Sequence, residues 1–278
     1  MKKSLLSKAQ GSDAIQKTAT NASKNKQRLL LLASRGIISS FRHLMNDLNL
    51  LLPHSKKESK WDSKGHLTSL NELCELCNTN NCLFFETRKK ELYWWLSKTP
   101  NGPSVKFNVL NVFNMSELKL TGNCLKGSRA ILSFDAGFDS EPFLKLTKEI
   151  LTQTFGTPTT SRKKKPFFDH VFTFTWADGR IWFRNYQIIQ DPTEADKMSL
   201  EEIGPRFVLQ IVRIFDGSFG GSTIYENSEF KTAQQKRIMA RVSASAGYKQ
   251  RQNAIASRQE KLIQNQLPKD PLEDIFKS

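Results

Sequence analysis

Residues 170–187 read HVFTFTWADGRIWFRNYQ, and this stretch decides what kind of fold the sequence can adopt. Large apolar and polar residues alternate on each side of Asp178-Gly179, as they do in a strand with one buried face. Asp-Gly is a strong signal for a two-residue turn, because both turn positions must tolerate a positive φ. The stretch therefore predicts a β-hairpin whose register is fixed by its turn.

The register separates the two faces of this hairpin, because opposed residues share a side and successive residues alternate. It places Phe174 opposite Phe183 and Thr175 opposite Trp182. One face is almost entirely apolar: Phe172, Phe174, Trp176, Ile181, Phe183 and Asn185. We expect that face to pack against a helix.

The second face of the hairpin alternates cations with aromatic rings. Its residues are Val171, Thr173, Thr175, Ala177, Arg180, Trp182, Arg184 and Tyr186. Such a surface can stack unpaired bases and neutralise phosphates. The predicted RNA-binding residues on it are Arg180, Trp182, Arg184 and Tyr186. The alternative is that both rings lie under another strand or helix while the arginines extend to solvent.

The positive charge of the chain is concentrated at its two ends. The total is +15, of which residues 1–40 carry +7, residues 231–278 carry +6 and residues 41–230 only +2. A nearly neutral centre with basic ends favours a polyanionic partner, RNA or DNA, because phosphate contacts supply non-specific affinity. Solubility alone is the other interpretation.

This distribution and the turn-forming stretches suggest three regions. Residues 1–28 form a basic, flexible N-terminal tail, residues 29–230 a folded domain, and residues 231–278 a basic, partly helical C-terminal tail. The loop GTPTTSRKKKP divides the folded part into halves of about 29–156 and 157–230.

The folded region mixes helices and strands without strict alternation, which predicts a mixed α/β class. Helices are predicted within 41–52, 67–78 and 140–155, and strands at 82–87, 91–98, 104–112, 130–135 and 206–218. The strands at 91–98 and 104–112 form a hairpin with a five-residue loop. The third helix has Ser140 as its N-cap, Pro142 in its first turn and Gly156 after its end.

Two further basic segments are candidates for phosphate binding. SRKKKP supplies Arg162, Lys163, Lys164 and Lys165, and LKGSR supplies Lys126 and Arg129. Four adjacent cations avoid burial, so the first run is a solvated loop, a nuclear-import signal or an RNA contact.

Catalytic, metal and membrane functions are not predicted. Cys74 and Cys77 form a CxxC motif followed by Cys82, but no second CxxC exists, and the segment reads as an amphipathic helix with structural cysteines. Asp169 and His170 are strand neighbours, which should point to opposite sides. The longest apolar run, LLLLA, is too short to span a membrane, and no signal peptide is visible. We therefore expect an intracellular protein without a catalytic site, metal or cofactor.

Several long blocks resemble the Brix-domain superfamily over about residues 33–230. They include NCLFFETRKKELYWWLSKTPNGPSVKF, TGNCLKGSRAILSFD, KPFFDHVFTFTWADGRIWFRNYQI and EIGPRFVLQIVRIFDGSFGGSTIYEN. The segment IGPRFVLQIVRI is similar to the sigma-70-like motif of that family. The resemblance implies two similar α/β halves, each like the anticodon-binding domain of class IIa aminoacyl-tRNA synthetases.

The same resemblance implies a function. It is that of a non-enzymatic, nucleolar assembly factor that binds precursor rRNA of the large ribosomal subunit, together with other assembly factors that include a basic coiled-coil protein. Two alternatives stay open: a protein-interaction scaffold within the pre-ribosome that uses the same exposed rings, and a small-subunit assembly factor.

Overall fold

The computed structural model describes five stretches of the chain: residues 27–58, 60–62, 66–158, 167–190 and 198–266. The chain divides into two compact units, Met1–Asn227 and Ser228–Ser278. The first unit holds a sheet with its packed helices, and the described part of the second is dominated by a long helix.

The described part of the first unit contains eleven strands and four α-helices. The strands are β1 (Leu29–Ala33), β2 (Ser55–Lys57), β3 (Asn81–Arg88), β4 (Glu91–Lys98), β5 (Ser104–Phe113), β6 (Arg129–Phe134), β7 (Phe168–Ala177), β8 (Arg180–Gln190), β9 (Met198–Glu202), β10 (Arg206–Phe215) and β11 (Thr223–Glu226). The helices are α1 (Ser39–Leu51), α2 (Leu70–Leu76), α3 (Met115–Leu118) and α4 (Pro142–Phe155). These elements confirm the mixed α/β class.

The strands form one sheet that contains two runs of four strands with the same connection order. Its order is β2-β1-β3-β4-β5-β10-β8-β7-β6, with β9 paired to β8 and β11 to β10. From one side, β1 runs parallel to β3, and β3, β4 and β5 follow as antiparallel neighbours. From the other side, β6 runs parallel to β7, and β7, β8 and β10 are antiparallel neighbours. The two runs meet where β5 pairs with β10.

This repeated connection order begins at Leu29 and again at Arg129, so the second run includes α4. The repeat therefore places the boundary between the two runs before Arg129, whereas the sequence predicted it in the loop after Gly156. The proposed halves, 29–156 and 157–230, and their likeness to anticodon-binding domains stay predictions.

The hairpin of β7 and β8 has the register that its turn predicts. Phe174 pairs with Phe183 and Thr175 with Trp182. Asp178 and Gly179 both have positive φ, 53° and 67°, as a two-residue turn of this type requires. The turn therefore determines which side chains lie on each face of the sheet.

The apolar face of this hairpin packs against α4, as predicted. The ring centroid of Phe155 lies 6.1 Å from that of Phe172 and 5.3 Å from that of Phe174. Phe183 stacks on Phe207 of β10 at 4.3 Å, so the rings join the two central strands. All five rings are at most 1% exposed. Each contributes roughly 1.5–3 kcal/mol of burial free energy, which fixes the hairpin to the domain.

The predicted cap of α4 is wrong at its first residue. Glu141, not Ser140, occupies the N-cap position, and no side chain caps the helix there. Ser140 instead donates a hydrogen bond from Oγ to the carbonyl of Gly137, at 2.7 Å, in the turn that precedes the helix. Pro142 at the first helical position and Gly156 at the C-cap agree with the prediction.

The second unit contains α5 (Ala233–Gln264), a 32-residue helix. Thr232 caps it, because its hydroxyl accepts a hydrogen bond from the amide of Gln235. None of its residues is buried. The helix lies within residues 231–278, the segment predicted to be a basic, partly helical tail.

Candidate nucleic-acid interface

The predicted RNA-binding residues of β8 lie on the sheet face opposite α4, which we call the open face. Phe172, Phe174 and Phe183 point towards α4, so the alternating residues of β7 and β8 point the other way. Those alternating residues include Arg180, Trp182, Arg184 and Tyr186, and the structure brings them onto one face.

These four side chains are all half-buried, neither enclosed nor fully exposed. Trp182 pairs laterally with Val208 of β10, which is 2% exposed, so the indole is flanked by an apolar neighbour. Its Nε1 atom is buried and has no hydrogen-bond partner within the described ranges. A half-buried ring with an unpaired N–H suits a stacking platform for bases, and it equally suits an interface for another protein.

One carboxylate moderates the charge of the open face. Glu202 lies 3.7 Å from Nε of Arg184 and accepts a hydrogen bond of 2.6 Å from Nε of Arg206. The hydrogen bond to Glu202 raises the pKa of Arg206. The guanidinium of Arg184 also lies 5.8 Å from the centre of the Trp182 ring. Two arginines thus share one acid, and the cluster keeps a net positive charge.

Arg180 follows the hairpin turn and is the least compensated cation of the set. It pairs with Ala177 across the hairpin. Within the described ranges it makes no ion pair, so its full charge is available to an anion at the end of the hairpin.

Arg129 lies on the same open face, which its position in the sequence did not indicate. It precedes Ile131 by two residues on β6, and Ile131 pairs with Val171 of the open face. The guanidinium of Arg129 lies 4.4 Å from the ring centre of Phe168, which is 48% exposed. This cation–ring pair extends the cation and ring pattern to the edge strand. Phe168 is the residue that sequence reasoning missed, because the pair joins two strands.

Lys126 is exposed beside Gly127, whose φ is +84°. It lies in the turn before β6. The remaining candidates, Arg162, Lys163, Lys164 and Lys165, lie outside the described residues.

Asp169 and His170 hold the turn that contains Lys126, although they were expected to point to opposite sides of their strand. Asp169 and His170 do not point apart, because Oδ1 of Asp169 lies 2.5 Å from Nδ1 of His170. The reason is a register shift: Arg129 pairs with Phe168 and Ala130 with His170, so Asp169 is an extra residue in a bulge.

The cluster around His170 holds a turn and does not form a catalytic relay. The hydroxyl of Ser128 lies 3.3 Å from the same Nδ1 atom that Asp169 contacts, whereas a relay needs the acid and the nucleophile on opposite ring nitrogens. Asp169 also accepts a hydrogen bond from the amide of Leu125, at 2.8 Å. Burial would raise the pKa of Asp169, but hydrogen bonds with His170 and Ser128 bring it below its usual value.

A second cation–ring cluster on the sheet serves as a structural contrast. Lys106 of β5 lies 4.9 Å from the ring centre of Tyr93 and 4.7 Å from that of Trp95. Its ammonium is paired with Glu86 at 3.2 Å, and its side chain is 13% exposed. Burial lowers the pKa of Lys106, and Glu86 partly offsets that effect. This cluster is compensated from within, so a ring beside a cation does not by itself identify a ligand site.

Two of the four cysteines pack as small apolar residues. Cys74 and Cys82 are buried in a cluster with Leu30, Leu32 and Phe84. Burial raises the pKa of Cys82 well above its ordinary value, which disfavours the thiolate that metals require. Across the described stretches, three or more potential metal-ligating side chains do not come together. Within the same stretches, the helices are too short or too polar to cross a membrane.

Comparison with known proteins places these features in context. A model of the Brix domain matches residues 34–213. Ribosome biogenesis protein brx1 of Schizosaccharomyces pombe is 52% identical over 253 residues, which cover 90% of this chain and 86% of that protein. The ribosome biogenesis protein BRX1 homolog of Homo sapiens is 50% identical over 256 residues, which cover 91% of this chain and 71% of that protein.

Among solved structures, the archaeal Imp4-like protein Mil aligns with a TM-score of 0.38 at 12% identity. The alignment covers 68% of this chain and all of that one.

Proposed function

This chain belongs to the Brix-domain family, and from that premise we propose that it is a non-enzymatic assembly factor in ribosome biogenesis. The match to the family model covers most of the folded part, and relatives about half identical over most of the chain are named as ribosome biogenesis proteins.

The finer proposal is that the chain binds precursor rRNA of the large subunit in the nucleolus. There it acts with other assembly factors that include a basic coiled-coil protein. The basic ends supply non-specific phosphate affinity, and the open face supplies rings for unpaired bases. Lys126, Arg129 and the run Arg162 to Lys165 are proposed as additional phosphate contacts.

The observation that carries this proposal is the open face itself. Arg180, Trp182, Arg184 and Tyr186 lie together, half-buried, and their net charge is positive despite Glu202. The Lys106 cluster has its own acid, whereas Arg180 has none within the described ranges. An anionic, ring-bearing polymer complements such a face.

A salt titration of the full chain with a precursor rRNA fragment tests the proposal. The variant Arg180→Gln/Arg184→Gln should reduce the slope of log affinity against log salt by about 1.4, since a contact to single-stranded phosphate contributes about 0.7. The control, Lys90→Gln/Lys145→Gln, removes the same charge from exposed positions of the turn after β3 and of α4. Equal slopes for the two variants would refute a role for the open face.

A second candidate function, protein interaction, is favoured by exposed apolar side chains at one end of the open face. Ile188 pairs with Leu200, and both continue the side of Tyr186. Leu200 is 57% exposed and Met198 62%. If Leu200→Ser releases a protein partner from purified pre-ribosomes while rRNA crosslinks stay intact, this end serves a protein.

The subunit assignment has its own test. Sequencing of the precursor rRNA that co-purifies with the tagged chain should recover large-subunit precursors. Recovery of small-subunit precursors alone would move the protein to that pathway.

A further inference from the structure

A cleft of about 520 Å³ opens at the carboxyl ends of the parallel strands β1 and β2, beside α1. Its lining residues are Ala33, Arg35, Ile37, Arg42, Met45, Lys57, Glu58 and Lys60. Ligands of open α/β sheets bind outside the carboxyl ends of the strands, and their pockets range over roughly 300–1,000 Å³. The cleft has the position and size of a small-ligand site.

The floor of the cleft is apolar and rigidly held. Ala33 ends β1, Ile37 lies in the connection to α1, and Met45 lies on α1. Their exposed fractions are 2%, 4% and 4%, so they form a packed surface and not a mobile rim. The bottom of the cleft therefore offers apolar atoms to a ligand.

The rim of the cleft carries four cations and one acid. The acid, Glu58, bonds to Lys56 at 2.6 Å, and Lys56 does not line the cleft. Arg35 pairs with Asp62 at 2.9 Å, and their side chains are 70% and 41% exposed. The rim therefore keeps an excess of positive charge even after both acids are counted.

Neutral groups hold two of the other rim cations in place. The Nη2 atom of Arg42 donates to the carbonyl of Ile37 at 3.4 Å, and Nζ of Lys57 donates to Oδ1 of Asn46 at 2.7 Å. Lys60 is exposed and forms no ion pair within the described ranges. These hydrogen bonds orient the cations without cancelling their charge.

We propose that this cleft binds one nucleotide of RNA, with its phosphate on the cationic rim and its base on the apolar floor. The inference rests on the proposed function and adds a second point of RNA contact. A phosphate with an attached flat ring uses both parts of the cleft. A phosphorylated serine has the anion but no ring for the floor.

The cleft is separate from the open face. Five strand spacings separate β1 from β8 in the sheet order, which is roughly 24 Å at about 4.8 Å per strand. Leu44, Met45 and Leu48 of α1 belong to the same core cluster as Phe155 of α4, so α1 packs on the face that α4 covers. The RNA-binding residues of β8 point to the opposite face. The two contacts can therefore be removed independently.

The test uses the full chain and a single-stranded hexaribonucleotide that contains one 4-thiouridine. The variant is Lys57→Gln/Lys60→Gln, which alters exposed side chains and should leave the fold intact. The control is Lys90→Gln/Lys145→Gln, which removes the same formal charge elsewhere. We expect the cleft variant to weaken binding about fivefold more than the control, since each lost exposed ion pair is modest. Photocrosslinks should fall on residues 33–62 in the unmodified chain and be lost in the cleft variant.

Three results would overturn the inference. Equal weakening by both variants would show only general charge attraction, and crosslinks confined to other residues would place the oligonucleotide elsewhere. Displacement of the oligonucleotide from the cleft by a phosphoserine peptide at lower concentration than by uridine monophosphate would assign the cleft to a protein ligand.

The experiment also separates this inference from the proposed function. If long precursor rRNA binds through the open face while the cleft variant binds the hexanucleotide normally, only the cleft inference fails. If the unmodified chain binds neither RNA, both fail.

Discussion

Glu202 determines how much positive charge the open face presents. It lies between Arg184 and Arg206 and neutralises part of each. An RNA phosphate that approaches Arg184 meets this carboxylate as a repulsive neighbour. The residue thus opposes the RNA contact that we propose for Arg184.

We predict that Glu202→Gln tightens binding of a precursor rRNA fragment by about threefold, because it removes one half-buried negative charge beside the arginines. Fluorescence anisotropy at fixed salt measures the change. Glu149→Gln, on the exposed surface of α4, is the control and should have a smaller effect. An identical affinity for Glu202→Gln and the unmodified chain would argue that RNA does not meet this face.

His54 links the stability of the domain to pH. Burial lowers its pKa below the ordinary value of 6.5, although a hydrogen bond of 2.8 Å from Nε2 to the carbonyl of Thr154 partly offsets the effect. A lowered pKa means that the unfolded chain takes up the proton first. The stabilising contribution of neutral His54 is therefore complete above pH 6.5 and is lost as pH falls below it.

We expect the free energy of unfolding to decrease between pH 7.5 and 5.5, with a contribution from His54 of at most about 1.4 kcal/mol per pH unit. The variant His54→Gln keeps a donor for Thr154 but cannot titrate, so its decrease should be smaller. Urea unfolding at both pH values measures the difference. Parallel decreases in the two proteins would remove His54 as the cause.

At the residue scale, the sequence predicts well where one local rule dominates. The positive φ demanded by Asp178-Gly179 fixes the hairpin register, and the structure has that register. Prediction from a local pattern fails where another residue bonds the side chain or where the strand register shifts. Ser140 bonds to Gly137 instead of capping α4, and the bulge at Asp169 turns its side chain towards His170.

The β7–β8 hairpin stabilises the second half of the sheet through its buried rings. Phe183 contacts Phe172, Phe174 and Phe207, and Phe155 of α4 lies 5.9 Å from it. The same strand carries the open face on its other side. The core ring and the proposed RNA-binding residues are therefore neighbours in sequence that point to opposite faces of the sheet.

Phe183→Ala should lower the free energy of unfolding by about 3–5 kcal/mol, since it leaves a cavity among rings that cannot all move together. Thr175→Ala, an exposed change on the same hairpin, should alter it by about 0.5 kcal/mol or less. Urea midpoints with unchanged slopes measure both values. A loss below about 1 kcal/mol for Phe183→Ala would contradict the packing described for this hairpin.

At the element scale, the sequence predicts strands and helices that have strong periodicity. It does not predict which charged side chains from different strands contact one another. The five-residue loop between β4 and β5, the helix α4 and the exposed helix α5 follow from alternation, turn residues and helix formers. The compensation of Lys106 by Glu86 joins strands whose pairing is not written in either segment. The contact between Arg129 of β6 and the Phe168 ring of β7 also joins two strands, so neither segment predicts it alone.

At the scale of the whole molecule, the central pairing of β5 with β10 joins two runs of the same connection order into one sheet. That contact links residues about a hundred positions apart, and no local pattern specifies it. Residue patterns predicted a mixed α/β class and a division into halves at the loop after Gly156, and the family resemblance added that the two halves are similar. The charge distribution predicts a polyanionic partner, but it does not predict a binding position on the sheet.

The most direct test of the central claim is ultraviolet crosslinking of the full-length chain to RNA in cells, with both the RNA and the linked peptides identified. We predict crosslinks to precursor rRNA of the large subunit, with a linked peptide that contains Trp182 and Tyr186. If that peptide links only to protein, or if precursor rRNA is absent from the crosslinked material, the open face does not bind RNA and the claim is wrong.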